Sequence, residues 1–169
     1  MRTVASGRKA QIFMNFPLAP ADLYHVGLIV PDVEATARQL TEVAGYSWTK
    51  PIEYTLAVRF HDRAEDVPLR FVYSIEEPNL ELVQQVSGTP WTAPVGSAAH
   101  HLGYFVDDIP ETVAQLESEG FALEACLAGD PISTFAYLVS DTGLRVEIVD
   151  RNLFPDWNSF LTMMAAEYP

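Results

Sequence analysis

The sequence predicts an α+β protein in which tandem βαβββ modules pair into a cupped, partly closed mixed β-sheet with flanking helices. The chain matches itself in two segments, and each segment opens with an apolar run that suits a buried strand. Each copy then ends in an alternating strand that carries one glutamate among aliphatic residues. Because 49% of the 169 residues are apolar, the chain can bury a core of the required size.

The internal repeat sets the order of the first elements. From His25 the chain reads HVGLIVPDVEATARQLTEVAGY, and from His101 it reads HLGYFVDDIPETVAQLESEGF. In both copies the apolar run after the histidine is expected to be a strand. Asp32 and Asp108 follow these runs, where a short carboxylate can accept the free N–H groups of a first helical turn. A helix is therefore predicted after each strand.

Glycines and further extended segments complete each copy. Gly45 and Gly120 are expected to end the two helices, because glycine tolerates the left-handed backbone conformation found there. Runs rich in β-branched and aromatic residues then predict further strands. These are residues 54–60 and 69–73 in the first copy and residues 123–127 and 134–139 in the second. With the end strands LELV and VEIV, each copy reads β-α-β-β-β.

The repeat also divides the chain into segments. We predict an N-terminal extension (1–21), a single domain (22–150) of two modules (about 22–88 and 99–150), and a C-terminal helical extension (151–169). The connection VSGTPWTAP between the modules is rich in Ser, Gly, Thr and Pro. In the C-terminal extension, Pro155 and Asp156 precede a short amphipathic pattern. Its apolar face is expected either to cover its own domain or to contact a second copy, which leaves a homodimer open.

Composition argues against several kinds of partner. The formal net charge is −13 and no cluster of basic residues is present, which argues against nucleic acid and anionic membrane surfaces. No apolar run reaches the roughly 18–20 residues of a membrane span, and Asn15 and Pro17 interrupt the N-terminal apolar stretch. The single Cys126 cannot form an internal disulfide. We therefore expect a cytoplasmic protein.

Four polar residues occupy matching positions in the two copies. His25 and His101 begin the first strand of their copies, whereas Glu81 and Glu147 lie on the last strands. If these strands are neighbours, all four side chains can point into one shared cavity. A carboxylate on a buried strand is costly without a positive partner. The pattern predicts one divalent metal ion (Zn, Mn, Co, Ni or Fe), with open positions for water or substrate.

Other polar and aromatic residues receive simpler interpretations. Alternation along a strand is expected to turn His100 away from the face of His101, toward a surface or supporting position. The charged stretch HDRAED places His61 in a solvated loop, and Cys126 is expected to be a buried structural thiol. Candidates for the cavity wall are Tyr104, Tyr137, Gln84 and Trp91.

The segments that carry these residues resemble the vicinal oxygen chelate superfamily, which includes glyoxalase I, methylmalonyl-CoA epimerase, extradiol dioxygenases and bleomycin or fosfomycin resistance proteins. The resemblance covers roughly residues 22–150 and is carried by HVGLIVPDVEAT, LELVQQVSG, HHLGYFVDDI and GLRVEIVD. Within the superfamily the chain most resembles the methylmalonyl-CoA epimerase branch. The resemblance implies metal ligands at the four matched positions, with Glu where some epimerases are expected to have Gln.

The resemblance also implies a chemistry. Two neighbouring substrate oxygens would bind the metal, and a side chain would move a proton at the adjacent carbon. Glu147 is the candidate base, and Glu53 is a candidate second base for the opposite face of the substrate. The expected function is that of a metal-dependent isomerase, epimerase or lyase acting on a small acyl thioester or 2-oxo metabolite.

Two alternatives to this function stay open. A metal-free, drug-sequestering protein of the bleomycin-resistance type would suit the acidic charge, but it has no need of a complete His/Glu quartet. An Fe(II) ring-cleaving dioxygenase needs three open positions for O₂ and a bidentate substrate. Four protein ligands argue against that reaction.

Overall fold

A computed structural model of the protein describes residues 16–166. Within these residues the strands are β1 (Leu23–Val30), β2 (Trp48–Thr49), β3 (Ile52–Phe60), β4 (Arg63–Tyr73), β5 (Leu80–Gln84), β6 (Ala99–Val106), β7 (Phe121–Leu127), β8 (Phe135–Ser140), β9 (Arg145–Asp150) and β10 (Ala165–Ala166). The helices are α1 (Val33–Ala44), α2 (Ile109–Ser118) and α3 (Trp157–Met164), with 3-10 turns at Pro20–Asp22 and Arg151–Leu153. Residues 1–15 of the predicted N-terminal extension and residues 167–169 lie outside the described part.

The predicted repeat of elements is confirmed. The modules are β1-α1-β3-β4-β5 and β6-α2-β7-β8-β9. The side chain of Asp32 accepts a hydrogen bond of 2.8 Å from the backbone N–H of Ala35 at the start of α1. Asp108 caps α2 in the same way through Glu111. Gly45 ends α1 with a φ of 78°, the left-handed conformation expected of it.

The long strands of the two modules close into a ring in the order β1-β5-β4-β3-β7-β8-β9-β6. The first and last strands of each module are parallel neighbours, and the other pairs are antiparallel. Two antiparallel seams, β1 with β6 and β3 with β7, join the modules. The predicted cupped mixed sheet is therefore confirmed. The seam between residues 58–60 and 125–127 also closes an edge that was expected to stay partly open.

The main hydrophobic core lies inside the ring, and the helices cover the outer face of the sheet. Alternation along each strand sends one set of side chains inward and the other set under a helix. Val33 and Ala37 of α1 pack in one outer cluster with Leu82. Val113 of α2 packs in a second outer cluster with Leu138. Burying each such side chain contributes roughly 1.5–3 kcal/mol, less for alanine, and holds the helices against the sheet.

The hairpin between β3 and β4 is longer than the sequence pattern indicated. Only two residues form its turn: His61, which is exposed with a φ of 51°, and Asp62. The charged residues that follow pair with β3 as far as Arg63, which contacts Glu65 on its own strand. Charge in this segment reflects exposure of a projecting hairpin to water rather than the end of a strand.

The C-terminal segment folds back on its own domain. The side chain of Asp156 caps α3, and Leu161 of this helix is buried. The indole N–H of Trp157 donates a hydrogen bond of 3.1 Å to Oδ1 of Asn79, and β10 pairs with β2. Among the described residues, no helix has the length and apolar character needed to cross a membrane.

Candidate metal centre

Strand register brings the four matched residues to one point inside the ring. Each glutamate lies on its strand beside a glycine of the neighbouring strand, and that glycine faces a histidine across the seam between β1 and β6. The two rows read Glu81-Gly27-His101 and Glu147-Gly103-His25. Each histidine therefore completes the row of the other module, so the site forms only when the modules pair.

The two glycines make room for the imidazoles. A Cβ atom on Gly27 would lie 1.9 Å from Cε1 of His101, and a Cβ on Gly103 would lie 2.1 Å from Cε1 of His25. Real Cβ atoms do not approach other atoms so closely, so any side chain here would displace a ring. The His-x-Gly spacing at the start of each copy is thus a steric requirement of the site.

The donor atoms are close enough to share one ion. Nε2 of His25 and Nε2 of His101 are 2.9 Å apart. Oε2 of Glu81 lies 3.4 Å and 3.2 Å from these two nitrogens, and Oε2 of Glu147 lies 3.3 Å and 3.5 Å from them. Two ligands bound at right angles, each about 2.1 Å from a metal, are about 3 Å apart. The observed spacing fits that arrangement.

Burial supports the same interpretation. All four side chains are buried, and Oε2 of Glu81 and Oε2 of Glu147 lack a hydrogen-bond partner within the described part of the chain. Two buried carboxylates without a positive partner cost several kcal/mol each. A divalent cation would neutralise both, and two imidazole nitrogens with two carboxylate oxygens suit Zn, Mn, Co, Ni or Fe. The residues therefore fit the predicted metal.

Without a metal, the cluster shifts the pKa values of Glu81 and His101. Burial alone would raise the pKa of Glu81, but the neighbouring His25 and His101 outweigh it and lower that pKa well below its usual range. Burial would likewise lower the pKa of His101, but the facing carboxylates of Glu147 and Glu81 raise it to about 9. In the metal-free site, a protonated His101 therefore supplies part of the positive charge that a metal ion would otherwise provide.

His100 does not point away from the site, contrary to the expectation from strand alternation. In the β1/β6 register Gly27 pairs with His101 and Leu28 with Ala99, so His100 is the extra residue of a β-bulge. The bulge lets Nδ1 of His100 lie 3.0 Å from Nδ1 of His101, while its Nε2 lies 2.8 Å from the carbonyl oxygen of Pro90. Simple alternation fails wherever one strand gains a residue.

The contacts of His100 fix the tautomers of both rings. Because the Pro90 carbonyl can only accept, Nε2 of His100 carries the proton and its Nδ1 accepts from Nδ1–H of His101. When His101 is neutral, as an ion would require, the free lone pair of its Nε2 is directed toward the two glutamates. Burial, together with the charges of His101 and Arg145, lowers the pKa of His100 to about 3, so this ring stays neutral.

A cavity of about 460 Å³ opens onto the two glutamates. Most of its wall is aromatic or aliphatic, and the phenols of Tyr73 and Tyr137 lie directly across their strands from Glu81 and Glu147. Burial, and secondarily the nearby carboxylates, raises the pKa of both phenols well above the usual value, so they stay protonated. No sequence pattern singles out Tyr73, because its position opposite Glu81 follows from the pairing of β4 with β5.

The wall candidates from the sequence divide into two groups. Tyr137 and Trp91 line the cavity, and the indole N–H of Trp91 donates to the hydroxyl of Tyr137 at 3.4 Å. Tyr104 packs instead against the outer cluster under α2. Gln84 is the last residue of β5, and its side chain accepts a hydrogen bond from the backbone N–H of Val33 at the start of α1.

Glu53 is not brought to the other four residues. Its side chain is exposed on β3 and accepts a hydrogen bond of 2.7 Å from Nε of Arg70. The next residue, Tyr54, lines the cavity. Since neighbours on a strand point to opposite faces, the Glu53 carboxylate is on the outside of the ring. Cys126 is buried, with its sulfur accepting from Arg59 at 3.4 Å.

Comparison with known proteins agrees with this fold. Residues 24–147 match the model of the family described as the glyoxalase/bleomycin resistance protein/dioxygenase superfamily. The chain belongs to this superfamily. A search of curated proteins finds no match for it.

Solved structures with the same fold are distant in sequence. A hypothetical protein from Bacillus halodurans C-125 aligns at 16% identity with a TM-score of 0.54, over 76% of this chain and 92% of that one. A methylmalonyl-CoA epimerase in complex with methylmalonyl-CoA and NH4+ aligns at 16% identity with a TM-score of 0.54, over 76% of this chain and 93% of that one. Methylmalonyl-CoA epimerase from Mycobacterium tuberculosis aligns at 17% identity with a TM-score of 0.51, over 82% of this chain and 93% of that one. At these identities the likeness shows a shared fold.

Proposed function

We propose that this protein is a divalent-metal-dependent enzyme that moves a proton next to a carbonyl group, as an isomerase, epimerase or lyase. One observation carries the proposal: the two carboxylates that complete a buried four-donor cluster also face a substrate-sized cavity. His25, Glu81, His101 and Glu147 would hold the ion. Superfamily membership and the fold shared with methylmalonyl-CoA epimerases support this class of reaction.

The residues around the cavity have distinct roles in this proposal. The ion, when bound, supplies Lewis-acid polarisation of a substrate carbonyl, which makes the adjacent C–H more acidic. Glu147 accepts that proton and returns it to the same or a neighbouring carbon. The protonated phenols of Tyr73 and Tyr137 donate hydrogen bonds to the substrate oxygen that gains negative charge. Glu53 is assigned no step, because its carboxylate lies outside the ring.

Both alternatives are less consistent with the cluster. A ring-cleaving dioxygenase must bind O₂ and two substrate oxygens, and four protein ligands leave two positions of a six-coordinate ion. A metal-free sequestering protein would keep two buried carboxylates, Glu81 and Glu147, beside a single protonated histidine, at a cost in stability and with no benefit to binding.

Metal analysis followed by isotope exchange tests the proposal. We expect purified protein to contain, or take up, about one Zn, Mn, Co, Ni or Fe per chain. Glu147→Gln should weaken metal binding, whereas Glu117→Gln, the same change on the exposed face of α2, should not. The loaded protein should exchange the proton beside the carbonyl of its substrates into deuterated water. If the wild-type protein neither binds these metals nor is stabilised by them, the proposal is wrong.

A further inference from the structure

The chemistry of the cavity wall restricts the substrate. Within residues 16–166 no lysine or arginine lines the cavity; the ionisable groups that do are Glu81, Glu147 and tyrosine phenols. A divalent cation would balance the two carboxylates, leaving the site with no net charge. An anionic substrate group placed deep in this cavity would lose its water without gaining a positive partner, which is strongly unfavourable.

Two arginines on strands of the ring, Arg70 and Arg145, are already paired with carboxylates away from the cavity. Arg70 bonds Glu34 and Glu53 on the outer face of the ring. Arg145 makes a two-pronged contact with Glu124, at 2.6 Å and 2.7 Å. Turning either one toward a substrate phosphate or carboxylate would break a charge-assisted contact of its own. The net charge of −13 adds a general repulsion of polyanions such as coenzyme A.

The shape and composition of the cavity favour an apolar substrate. Phe71 and Phe135 form part of its wall, and the C-terminal segment adds Phe154 and Phe160. At its rim Tyr54 is 56% exposed, and its ring lies 6.4 Å from that of Phe71. Such walls bind flat or bulky apolar groups by burial and by edge or stacking contacts. The volume of about 460 Å³ is within the roughly 300–1,000 Å³ typical of small-molecule sites.

We infer that the substrate is an uncharged compound with two adjacent oxygens on an apolar, ring-sized body, such as an aromatic α-hydroxyketone or α-diketone, and not a coenzyme A thioester or a dicarboxylate. This inference rests on the proposed function, since the two oxygens are the pair that would bind the ion. Of the two substrate classes considered for that function, the inference favours neutral 2-oxo compounds over acyl thioesters. Tyr73 and Tyr137 supply the directed polar contacts beside Glu81 and Glu147.

Binding of matched probes to the Co²⁺-loaded full-length protein tests the inference. The probes are α-hydroxyacetophenone, its ring-substituted 4-carboxy derivative, hydroxyacetone and propionyl-CoA, with Kd measured by calorimetry near pH 7.5. We expect α-hydroxyacetophenone to bind at least about tenfold more tightly than each of the others. The carboxy derivative isolates the effect of charge, and hydroxyacetone isolates the effect of the ring. Comparable or tighter binding of the carboxy derivative or of propionyl-CoA overturns the inference, and so does no binding of α-hydroxyacetophenone.

A variant that adds a positive charge to the cavity wall tests the location of binding. Leu153 lines the cavity and is 48% exposed, whereas Leu144 is 47% exposed in the turn before β9 and does not line it. Leu153→Lys should improve binding of the 4-carboxy derivative severalfold, and Leu144→Lys should not. Equal effects of the two variants would contradict binding in this cavity. Failure of the wild-type protein to load with metal would instead count against the proposed function, so the two failures are distinguishable.

Discussion

At the scale of single residues, Gly27 and Gly103 leave the room that the two histidines of the proposed metal centre occupy. Each leaves the space that the opposite imidazole occupies, with a Cβ-to-ring distance of 1.9 Å or 2.1 Å if alanine were present. We expect Gly27→Ala to displace His101 and weaken Co²⁺ binding at least about tenfold. Adding His101→Ala should relieve the collision, so the double variant should unfold at a higher temperature than Gly27→Ala while binding Co²⁺ no more tightly than it. Unchanged Co²⁺ affinity in Gly27→Ala would contradict the steric role.

His100 is expected to position a ligand without touching the ion. It accepts the Nδ1 proton of His101 and is itself held by the carbonyl of Pro90. Removing the acceptor with His100→Leu should weaken metal binding about 10- to 100-fold, and His100→Gln, whose side-chain oxygen can accept, should restore part of the loss. Competition titration with a chromophoric chelator measures both. Equal affinity of the Leu and Gln variants would show that packing alone matters.

The pKa of His101 makes metal binding depend on pH. It is raised from about 6.5 in the unfolded chain to about 9 in the metal-free folded protein, so the proton stabilises that form below pH 6.5, and the stabilisation is lost as pH rises through 9. Binding of the ion must release this proton. Between about pH 7 and 9 we expect the apparent Kd to fall about tenfold per pH unit. Calorimetry in two buffers of different ionisation enthalpy should show that about one proton is released per ion bound. A pH-independent Kd would contradict this expectation.

At the scale of elements, the bulges in the β1/β6 seam and the packing of α3 shape the centre. Tyr24 and His100, each just before a histidine of the cluster, are the extra residues of matching bulges. Tyr24 therefore faces the cavity, where its ring stacks on that of Phe105, with centroids 3.7 Å apart. Trp157 of α3 packs edge-on against Tyr24. The terminal helix thus supports the cavity from one side.

The packing of α3 predicts unequal effects of two changes on the same helix. Leu161 is 2% exposed and Met163 is 70% exposed. Leu161→Ala should lower the free energy of unfolding by about 2–4 kcal/mol, because it leaves a cavity in the core. Met163→Ala should change it by less than about 0.5 kcal/mol. Urea denaturation measures both values, and similar losses in the two variants would contradict the packing described here.

At the scale of the whole molecule, a bound ion would tie the two modules together. Each module supplies one histidine and one glutamate, and the histidines cross the seam between β1 and β6. An ion at 100 times its Kd stabilises the folded chain by about 2.7 kcal/mol. For a chain of this length we expect the Tm to rise by about 5–10 °C when Zn²⁺ or Co²⁺ is added, and to fall back with a chelator. Glu147→Gln should lose most of this rise, and an equal rise in that variant would place the ion elsewhere.

Much of this organisation could be predicted from the sequence because it depends on local patterns. Apolar runs and capping residues such as Asp32 and Asp108 act within a few residues, so the order β-α-β-β-β was readable twice. Repetition then paired His25 with His101, and the acidic residue on each end strand gave the remaining two members of the cluster. Patterns in the sequence therefore suffice to specify the modules, their helices and the four side chains that meet.

Features that depend on strand pairing between distant residues are seen only in the folded ring. The seam of β3 with β7, the bulge that turns His100 inward, the outward position of Glu53 and the place of Tyr73 all follow from register across the ring. A local pattern specifies which face of a strand a residue occupies. It does not specify which strand lies next to it or where an extra residue shifts the alternation, because those depend on packing of the complete ring.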